Sequence, residues 1–191
     1  MNSVLHILNA SRLSDADVRL VSGAVEKVFQ RRTSVKRISL DLARAFDDSR
    51  GQYLSANLLG QSLSSIDLDD GKYIIIVDVD LFIPVLTFIF GEAQFEGSVA
   101  IVSTYRLSNE FYGLPADRPA LLQRLEKEII HELGHTFGLY HCRQFECVMR
   151  SSTYVEEIDL KQAILCEECR QQFNEKNNQV CTTTSKNQGA L

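Results

Sequence analysis

The chain has 191 residues, of which 45% are hydrophobic and 24% are charged. This length is enough for one packed core and does not require two, so we expect a single domain at residues 1–173 and a polar, flexible tail at residues 174–191. Lys and Arg number 20 against 25 Asp and Glu, which gives a net charge of −5, and no basic block is longer than Arg31-Arg32. Nucleic acid is therefore not expected as a partner.

The most apolar stretch, residues 73–90, contains Asp78, Asp80 and Pro84. A membrane helix needs about 20 consecutive apolar residues, so this stretch predicts strands and no membrane partner. The N-terminal residues lack the basic start and sustained apolar run of a secretory signal, which predicts a cytoplasmic protein if the chain is complete. We also expect a monomer. In a reducing compartment, the five cysteines favour metal binding over disulfides.

The first half of the chain predicts alternating strands and helices. Ser14, with Asp17 three residues later, is a start signal for a helix whose valines recur at helical spacing. A run that is apolar on both faces, at residues 74–79, is typical of a central strand covered by helices. The predicted order is a strand at residues 4–8, a helix from Ser14, a strand at 35–40, a short helix within 47–65 and the strand at 74–79.

The second half predicts two more strands and two helices, which makes the fold class α/β (α+β). The strands are expected at residues 86–90 and 98–105, joined by a loop that contains glycines. Asp117 is the expected N-cap of a long helix with Pro119 in its first turn. A last helix is predicted at residues 160–173, and Cys181 lies beyond it with no assigned role.

The long helix carries the motif that predicts chemistry. Residues 131–141 read His-Glu-Leu-Gly-His-Thr-Phe-Gly-Leu-Tyr-His. Positions four apart lie on one helix face, so His131 and His135 can both direct a ring nitrogen at one metal ion. Glu132 is rotated away from that face and can reach a metal-bound water, which suits a general base.

A third ligand follows from the end of this helix. Gly138 can adopt the left-handed conformation that ends a helix and turns the chain, which returns His141 to the metal. Three nitrogens leave the fourth position of a tetrahedral zinc open for water, as in catalytic sites. Zinc lowers the pKa of that water to about 7, so we predict hydrolysis of peptide bonds by a zinc-bound water that Glu132 activates.

The motif also has two less specific interpretations, an accidental match and an inactive zinc protein. The five-residue His-Glu-x-x-His pattern can occur by accident in a core helix, but three of the four histidines occupy the longer pattern, with Gly138 in place. The remaining His6 is interpreted as a packed or edge histidine. A folded zinc protein that has lost activity would have the same ligands, although it would not need Glu132.

The cysteines predict a second metal site. Cys142 and Cys147 form one close pair, and Cys166 and Cys169 form another. Four thiolates at such spacings form a closed structural zinc site, with no position left for substrate. Two disulfides or four free buried thiols are the alternatives. The sequence therefore predicts two zinc ions per chain, one catalytic and one structural.

These residues together resemble the composite signature of the archaemetzincins, a branch of the metzincin metallopeptidases. The matching segments are 131–142, 147–149 and 166–169, and the similarity extends through 78–81, 90–93, 103–107 and 111–114, or roughly residues 74–173. The family pattern has seventeen residues between the methionine and the second cysteine pair, whereas residues 150–165 supply sixteen. This difference of one loop residue does not change the match.

The resemblance implies a compact metzincin-like domain with a twisted mixed sheet, a backing helix, a zinc-binding helix below the substrate cleft, and a C-terminal helix. It makes Met149 the residue of the Met-turn, an apolar bend beneath the histidines; spacing alone indicates an ordinary core methionine. It also implies an edge strand that binds extended peptide antiparallel, for which residues 98–105 are the candidate; an ordinary sheet strand is the alternative for this segment. Tyr154 is a candidate for stabilising the transition state.

Three functions remain compatible with these residues. The leading prediction is a peptidase, either an endopeptidase or an aminopeptidase, with peptide or protein substrates. The alternatives are an inactive zinc protein that binds peptides and a hydrolase of a non-peptide amide. Asp78 and Asp80 share a strand face and could hold a cation, but a polar strand end is the preferred interpretation.

Overall fold

The computed structural model describes residues 4–65 and 71–184. Strands and helices alternate through its first half, and helices follow in the second half. The strands are β1 (Leu5–Asn9), β2 (Thr33–Arg37), β3 (Phe46–Asp47), β4 (Gln52–Leu54), β5 (Lys72–Val77), β6 (Leu81–Phe82), β7 (Gly91–Ala93) and β8 (Val99–Ser103). The α-helices are α1 (Asp15–Phe29), α2 (Ser55–Ser65), α3 (Arg118–Thr136), α4 (Val155–Asp159) and α5 (Glu167–Thr184).

The main sheet has five strands in the order β2-β1-β5-β8-β7. Its first four strands are parallel, and β7 pairs antiparallel with β8. A small second sheet has the order β3-β4-β6. The mixed α/β fold predicted from the sequence is thereby confirmed.

Two hydrophobic layers cover the main sheet. On β5, Ile74 and Ile76 pack with residues of α1 and α3, whereas Tyr73 and Ile75 pack with residues of α2 on the opposite face. This two-sided burial explains why the β5 sequence is continuously apolar instead of alternating. The face that carries α1 and α3 is called the zinc-helix face below.

The predicted helix starts are present in the structure. The Ser14 side chain accepts a hydrogen bond from the backbone N–H of Asp17, and the Asp17 carboxylate accepts one from the Ser14 N–H, so the two residues form a capping box. At α3, the Asp117 carboxylate accepts from the Ala120 N–H at 3.0 Å. Both interactions satisfy N–H groups that a helix leaves without an internal partner.

The C-terminal part differs from the sequence prediction. Helix α5 begins at Glu167, not near residue 160 as predicted. The segment before it is held by backbone hydrogen bonds to residues 142–149, called the cysteine loop. In these bonds the Val148 N–H donates to Ile164 O, and the Gln162 N–H donates to Glu146 O. The helix then continues to Thr184, so residues 174–184, predicted as tail, belong to α5. Residues 185–191 lie outside the described residues.

The strand predicted at residues 86–90 is also absent from the structure. Pro84 lies two residues after the end of β6, and the Leu86 N–H donates to Ile83 O, so the chain turns there. Ile89 forms an isolated bridge with Leu81, and the next strand is β7. Among the described residues, no helix combines the length and apolar character needed to cross a membrane.

A buried ion pair joins α3 to the segment after α4. Lys161 Nζ lies 3.4 Å from Glu128 Oε1, and the two side chains are 1% and 4% exposed. Burial raises the pKa of Glu128, while the Lys161 charge acts in the opposite direction. Because neither charge can be solvated in place, each one depends on the other.

Replacing Lys161 with Met should lower the free energy of unfolding by about 3–5 kcal/mol, since Glu128 would be left as an unpaired buried acid. Adding Glu128→Gln to this variant should restore part of the loss. Urea denaturation of the zinc-loaded proteins measures both effects. Arg12→Met is the control, because Arg12 is 91% exposed in its ion pair with Asp78 and should contribute less than about 1 kcal/mol. Equal losses in Lys161→Met and the control would contradict this account.

Candidate metal centres and active site

Two histidines meet at the C-terminal end of α3, with their Nε2 atoms 3.1 Å apart. His131 Nδ1 lies 2.8 Å from Val148 O, and His135 Nδ1 lies 2.7 Å from Leu139 O. A carbonyl oxygen can only accept a hydrogen bond, so both Nδ1 atoms must carry the proton. In the neutral rings both Nε2 atoms therefore present lone pairs to the same point.

This donor set fits a metal ion. Two unprotonated nitrogens at 3.1 Å repel each other unless a cation lies between them. Two nitrogen ligands, each about 2.0–2.1 Å from a tetrahedral zinc, lie roughly 3.4 Å apart. Metal-bound histidines generally donate their other ring N–H to such a carbonyl, which fixes the tautomer of each ring.

The third histidine is brought to the same place by the end of α3. Gly138 has φ = +81°, and its N–H donates to His135 O at 2.9 Å. The Leu139 N–H donates to Gly134 O at 3.0 Å, which completes a Schellman motif. After this turn a ring nitrogen of His141 lies within 4.8 Å of those of the other two histidines. The left-handed glycine predicted at residue 138 is present.

The surroundings keep these rings neutral. Burial lowers the pKa of His131 well below its ordinary value, and the nearby Lys161 charge lowers it further. Burial also lowers the pKa values of His135 and His141. Only a neutral imidazole has a lone pair free for a metal, so the lowered pKa values favour metal binding near pH 7.

The side chain of Glu132 extends from α3 to strand β7. It is 5% exposed, and a Cβ atom added to Gly91 would lie 2.7 Å from Glu132 Oε1 and 2.7 Å from Ile101 O. Gly91 is thus the residue that allows the strand to approach the carboxylate. Burial raises the pKa of Glu132 well above its ordinary value; the Glu128 charge adds to this effect, while Lys161 opposes it. A more basic carboxylate is a better proton acceptor once it is ionised.

Met149 lies in a turn directly beneath the histidines. The Arg150 N–H donates to Cys147 O at 3.0 Å and closes this turn, in which Met149 is fully buried. A Cβ atom at Gly134 would collide with Met149 Sδ, so the sulfur packs against the backbone of α3 between His131 and His135. The same turn supplies the Val148 carbonyl that accepts from His131.

The four paired cysteines form a second cluster, with their sulfur atoms within 4.8 Å of one another. Cys142 Sγ lies 3.7 Å from Cys166 Sγ, and Cys147 Sγ lies 3.8 Å from Cys169 Sγ. A disulfide requires about 2.05 Å, whereas sulfurs that are each about 2.3 Å from a tetrahedral zinc lie roughly 3.8 Å apart. The geometry therefore fits a four-thiolate zinc site and contains no disulfide among these cysteines.

Polar contacts support the sulfurs of this cluster. Backbone N–H groups of Gln144 and Cys166 donate to the sulfurs of Cys142 and Cys147, each at 3.4 Å. Burial raises the pKa of Cys169, and the neighbouring Cys147 raises it further. Four thiolates this close need a cation to balance their charge.

Other residues singled out in the sequence are not members of the two clusters. Asp78 pairs with Arg12 at 2.6 Å and Asp80 with Arg106 at 2.6 Å, so both acids already have cationic partners. The ring of His6 stacks on Tyr73 with centroids 4.4 Å apart. Tyr154 precedes α4 and is 65% exposed, and its transition-state role stays a prediction.

The prediction that residues 98–105 form the edge strand is wrong. Strand β8, within residues 98–105, lies between β5 and β7 and has partners on both sides. Strand β7 is one of the two edges of the sheet among the described residues, since it forms a hairpin with β8 and pairs with no other strand there. The isolated Gly91 was a signal for close backbone approach that could have identified this strand.

Comparisons with known proteins identify the family to which this chain belongs. Residues 14–175 match peptidase family M54. The chain is 45% identical to an archaemetzincin of Pyrococcus horikoshii over 135 residues, which is 70% of this chain and 71% of the relative. It is 41% identical to an archaemetzincin of Pyrococcus abyssi over 163 residues, or 84% and 79% of the two chains.

Solved structures with a similar fold include members of the same family. A crystal structure of an archaemetzincin from Methanopyrus kandleri has a TM-score of 0.81 and 31% identity, covering 93% of this chain and 96% of its own. A zinc-dependent peptidase from Methanocorpusculum labreanum has a TM-score of 0.78 and 33% identity, covering 88% of this chain and 99% of its own.

The protein is therefore a zinc-dependent metallopeptidase, an enzyme class that acts on peptides or proteins. Within this class, the chain belongs to peptidase family M54, the archaemetzincins.

Gly91→Ala should reduce peptidase activity while zinc stays bound, because the new Cβ atom would displace either Glu132 or the backbone of β7. Overpacking of this kind typically costs about 1–3 kcal/mol. Gly23→Ala in α1 is the matched control, since a Cβ atom there meets nothing within 4 Å. Activity and zinc content of both variants provide the measurement, and full activity in Gly91→Ala would show that Glu132 does not need this close approach.

Proposed function

We propose that His131, His135 and His141 hold the catalytic zinc of this peptidase and that Glu132 is its general base. The observation that carries the proposal is the pair of Nε2 atoms at 3.1 Å whose rings are fixed by hydrogen bonds from Nδ1 to Val148 O and Leu139 O. Without a metal, this arrangement places the lone pairs of the two Nε2 atoms against each other. With a zinc ion between them, the two atoms provide two of its three neutral ligands.

The chemistry then follows from the positions of the protein groups. Zinc, when bound, polarises the scissile carbonyl and makes water easier to deprotonate. Glu132 accepts a proton from water as the water oxygen adds to the carbonyl carbon. The carboxylic acid then delivers this proton to the amine nitrogen as the C–N bond breaks, and Glu132 returns to its ionised form. The products are a carboxylic acid and an amine, which near pH 7 ionise to a carboxylate and an ammonium group.

The burial of Glu132 suits this role. Its pKa is raised by the apolar surroundings and by the neighbouring Glu128, and the same carboxyl can hold the proton between the two transfers. A carboxyl at the protein surface would lose that proton to solvent. The contact with Gly91 keeps the carboxyl beside strand β7, the free edge where an extended peptide can pair.

Glu132→Ala should retain the catalytic zinc and lose about 10²–10⁴-fold in kcat, because the ligands remain while the base is removed. Turnover of a mixed peptide library by zinc-loaded wild type and variant provides the measurement. Glu175→Ala, at an exposed position of α5, is the control and should behave as wild type. Comparable turnover in Glu132→Ala would remove Glu132 from the mechanism. Absence of turnover in both proteins would instead favour a zinc protein that binds peptides.

We further propose that Cys142, Cys147, Cys166 and Cys169 hold a structural zinc, which makes two zinc ions per chain. The sulfur–sulfur distances of 3.7 and 3.8 Å support this assignment. Cys142 directly follows His141, and Cys147 begins the turn that contains Met149. A metal at this cluster would therefore fasten the third-histidine loop and the proposed Met-turn to the start of α5.

The double variant Cys166→Ser, Cys169→Ser should bind one zinc instead of two and should melt at a lower temperature, because a structural zinc contributes directly to folding free energy. Its activity should also fall, since the loop that carries His141 loses its attachment. Cys181→Ser is the control and should keep both metals. Metal analysis and thermal melting under reducing conditions test this. A double variant that keeps two zinc ions and its melting temperature would refute the structural site.

The remaining predictions concern the whole chain. A single peptidase domain within residues 1–173, a cytoplasmic location and a monomeric state stay predictions from the sequence. The match to family M54 over residues 14–175 supports the proposed domain limits. Cell fractionation and analytical ultracentrifugation are the direct measurements of location and oligomeric state.

A further inference from the structure

Two exposed aromatic rings lie beside the histidine cluster. Phe95 and Tyr140 are 42% and 69% exposed, and their ring centroids are 4.5 Å apart at an angle of 36°. Phe95 belongs to the turn between β7 and β8, and Tyr140 directly precedes His141. Two exposed rings in contact present an apolar surface, and ligand pockets are lined mainly by hydrophobic and aromatic side chains.

The turn that carries Phe95 is fastened to the end of the zinc-binding helix. The Glu96 N–H donates to His135 O at 3.0 Å, and Glu96 Oε1 pairs with Lys176 Nζ of α5 at 2.5 Å. Lys72 Nζ donates to both Gly97 O and Thr136 O, at 2.6 and 3.0 Å. These contacts join the turn to α3 next to a metal ligand, so the position of Phe95 relative to the cluster is fixed.

The faces of β7 show where the ring pair lies. Gly91 contacts Glu132, and Ala93 packs in the layer that contains α3, so these alternate residues point to the zinc-helix face. Glu92 points to the other face, where it accepts a hydrogen bond from Ser55 of α2. Phe95 follows Ala93 by two residues, and its contact with Tyr140 places it on the same side as the histidines.

The direction of β7 determines which part of a substrate reaches this pair. An extended peptide that pairs with the free edge of β7 is more stable in the antiparallel direction. Its reacting bond must lie near Glu132, at the level of Gly91. The peptide segment N-terminal to that bond then runs toward the C-terminal end of β7, where Phe95 and Tyr140 lie.

We propose that Phe95 and Tyr140 form a subsite that binds an apolar or aromatic side chain of the substrate on the N-terminal side of the scissile bond. This proposal rests on the proposed peptidase function of the histidine cluster. The exposed ring faces supply the apolar surface, and the contacts of Glu96 and Lys72 keep that surface in place before substrate binds. Binding in a fixed subsite costs less conformational entropy than binding that must order a loop.

The test measures binding separately from turnover. Wild type first cleaves a peptide mixture, and mass spectrometry locates the scissile bond. Fluorescently labelled peptides with Phe or Ala at each position around that bond are then titrated into the zinc-loaded Glu132→Ala protein, and their dissociation constants are measured by anisotropy. The same titration is repeated with Phe95→Ala and Tyr140→Ala added singly and together. Because both side chains are exposed, these variants should fold, and Tyr140→Phe keeps the ring as a second check.

We expect Phe N-terminal to the bond to improve affinity on the order of 10-fold over Ala, and the double variant to abolish this difference. Tyr140→Phe should preserve it. Phe46→Ala is the matched control, since Phe46 is 43% exposed and pairs with Tyr53, which packs on the opposite face of the sheet. Adding Phe46→Ala to the Glu132→Ala protein should leave its affinity for every peptide unchanged.

Each contrary outcome has a distinct meaning. A Phe preference that survives in the double variant, or that lies C-terminal to the bond, would overturn the subsite. A change in oligomeric state without a change in peptide affinity would assign the ring pair to contacts between copies and overturn it as well. Absence of cleavage by wild type would contradict the proposed function. Titration of a peptide series with Phe or Ala at every position, which needs no located bond, would still decide whether the pair binds an apolar side chain.

Discussion

The hydrogen bonds from His131 and His135 to backbone carbonyls are the constraint on which the active site depends. They fix the tautomer of each ring, and therefore the direction of each lone pair, before any metal arrives. Val148 O belongs to the turn around Met149, and Leu139 O belongs to the turn after α3. The conformations of these two loops thus set the orientations of the two imidazole rings.

Close approach of backbone segments maintains this arrangement. Gly91 lets the edge strand lie against Glu132, and Gly134 lets the Met149 sulfur lie against α3. A side chain at either position would separate elements that must touch. The site is therefore held by packing as much as by polar contacts, which explains why a carboxylate as buried as Glu132 can keep a defined position.

The two clusters share one loop. Residues 141–149 carry His141, Cys142 and Cys147 and end at Met149, whose carbonyl accepts from the Cys142 N–H at 2.9 Å. The cysteines of α5 and of the segment before it meet the same loop. Formation of the cysteine cluster and placement of the third histidine are thus linked by the covalent chain, so a metal at one cluster would limit motion at the other.

The sequence by itself determined the features that depend on local spacing. The helical spacing of His131 and His135, the left-handed Gly138 and the capping box at Ser14 concern residues a few positions apart, and their geometry follows from the period of a helix or turn. The strands at the start of the chain and the mixed α/β class followed from hydrophobic pattern for the same reason.

Only the tertiary structure decided what depends on residues far apart in the chain. A strand sequence does not reveal its neighbours, so the sequence predicts the edge at residues 98–105, whereas the structure has β7 at the edge. The start of α5 is set by backbone bonds between residues 162–164 and the cysteine loop, which no local pattern predicts. The contact of Gly91 with Glu132, the buried pair of Lys161 and Glu128, and the rings of Phe95 and Tyr140 likewise arise from packing between distant segments.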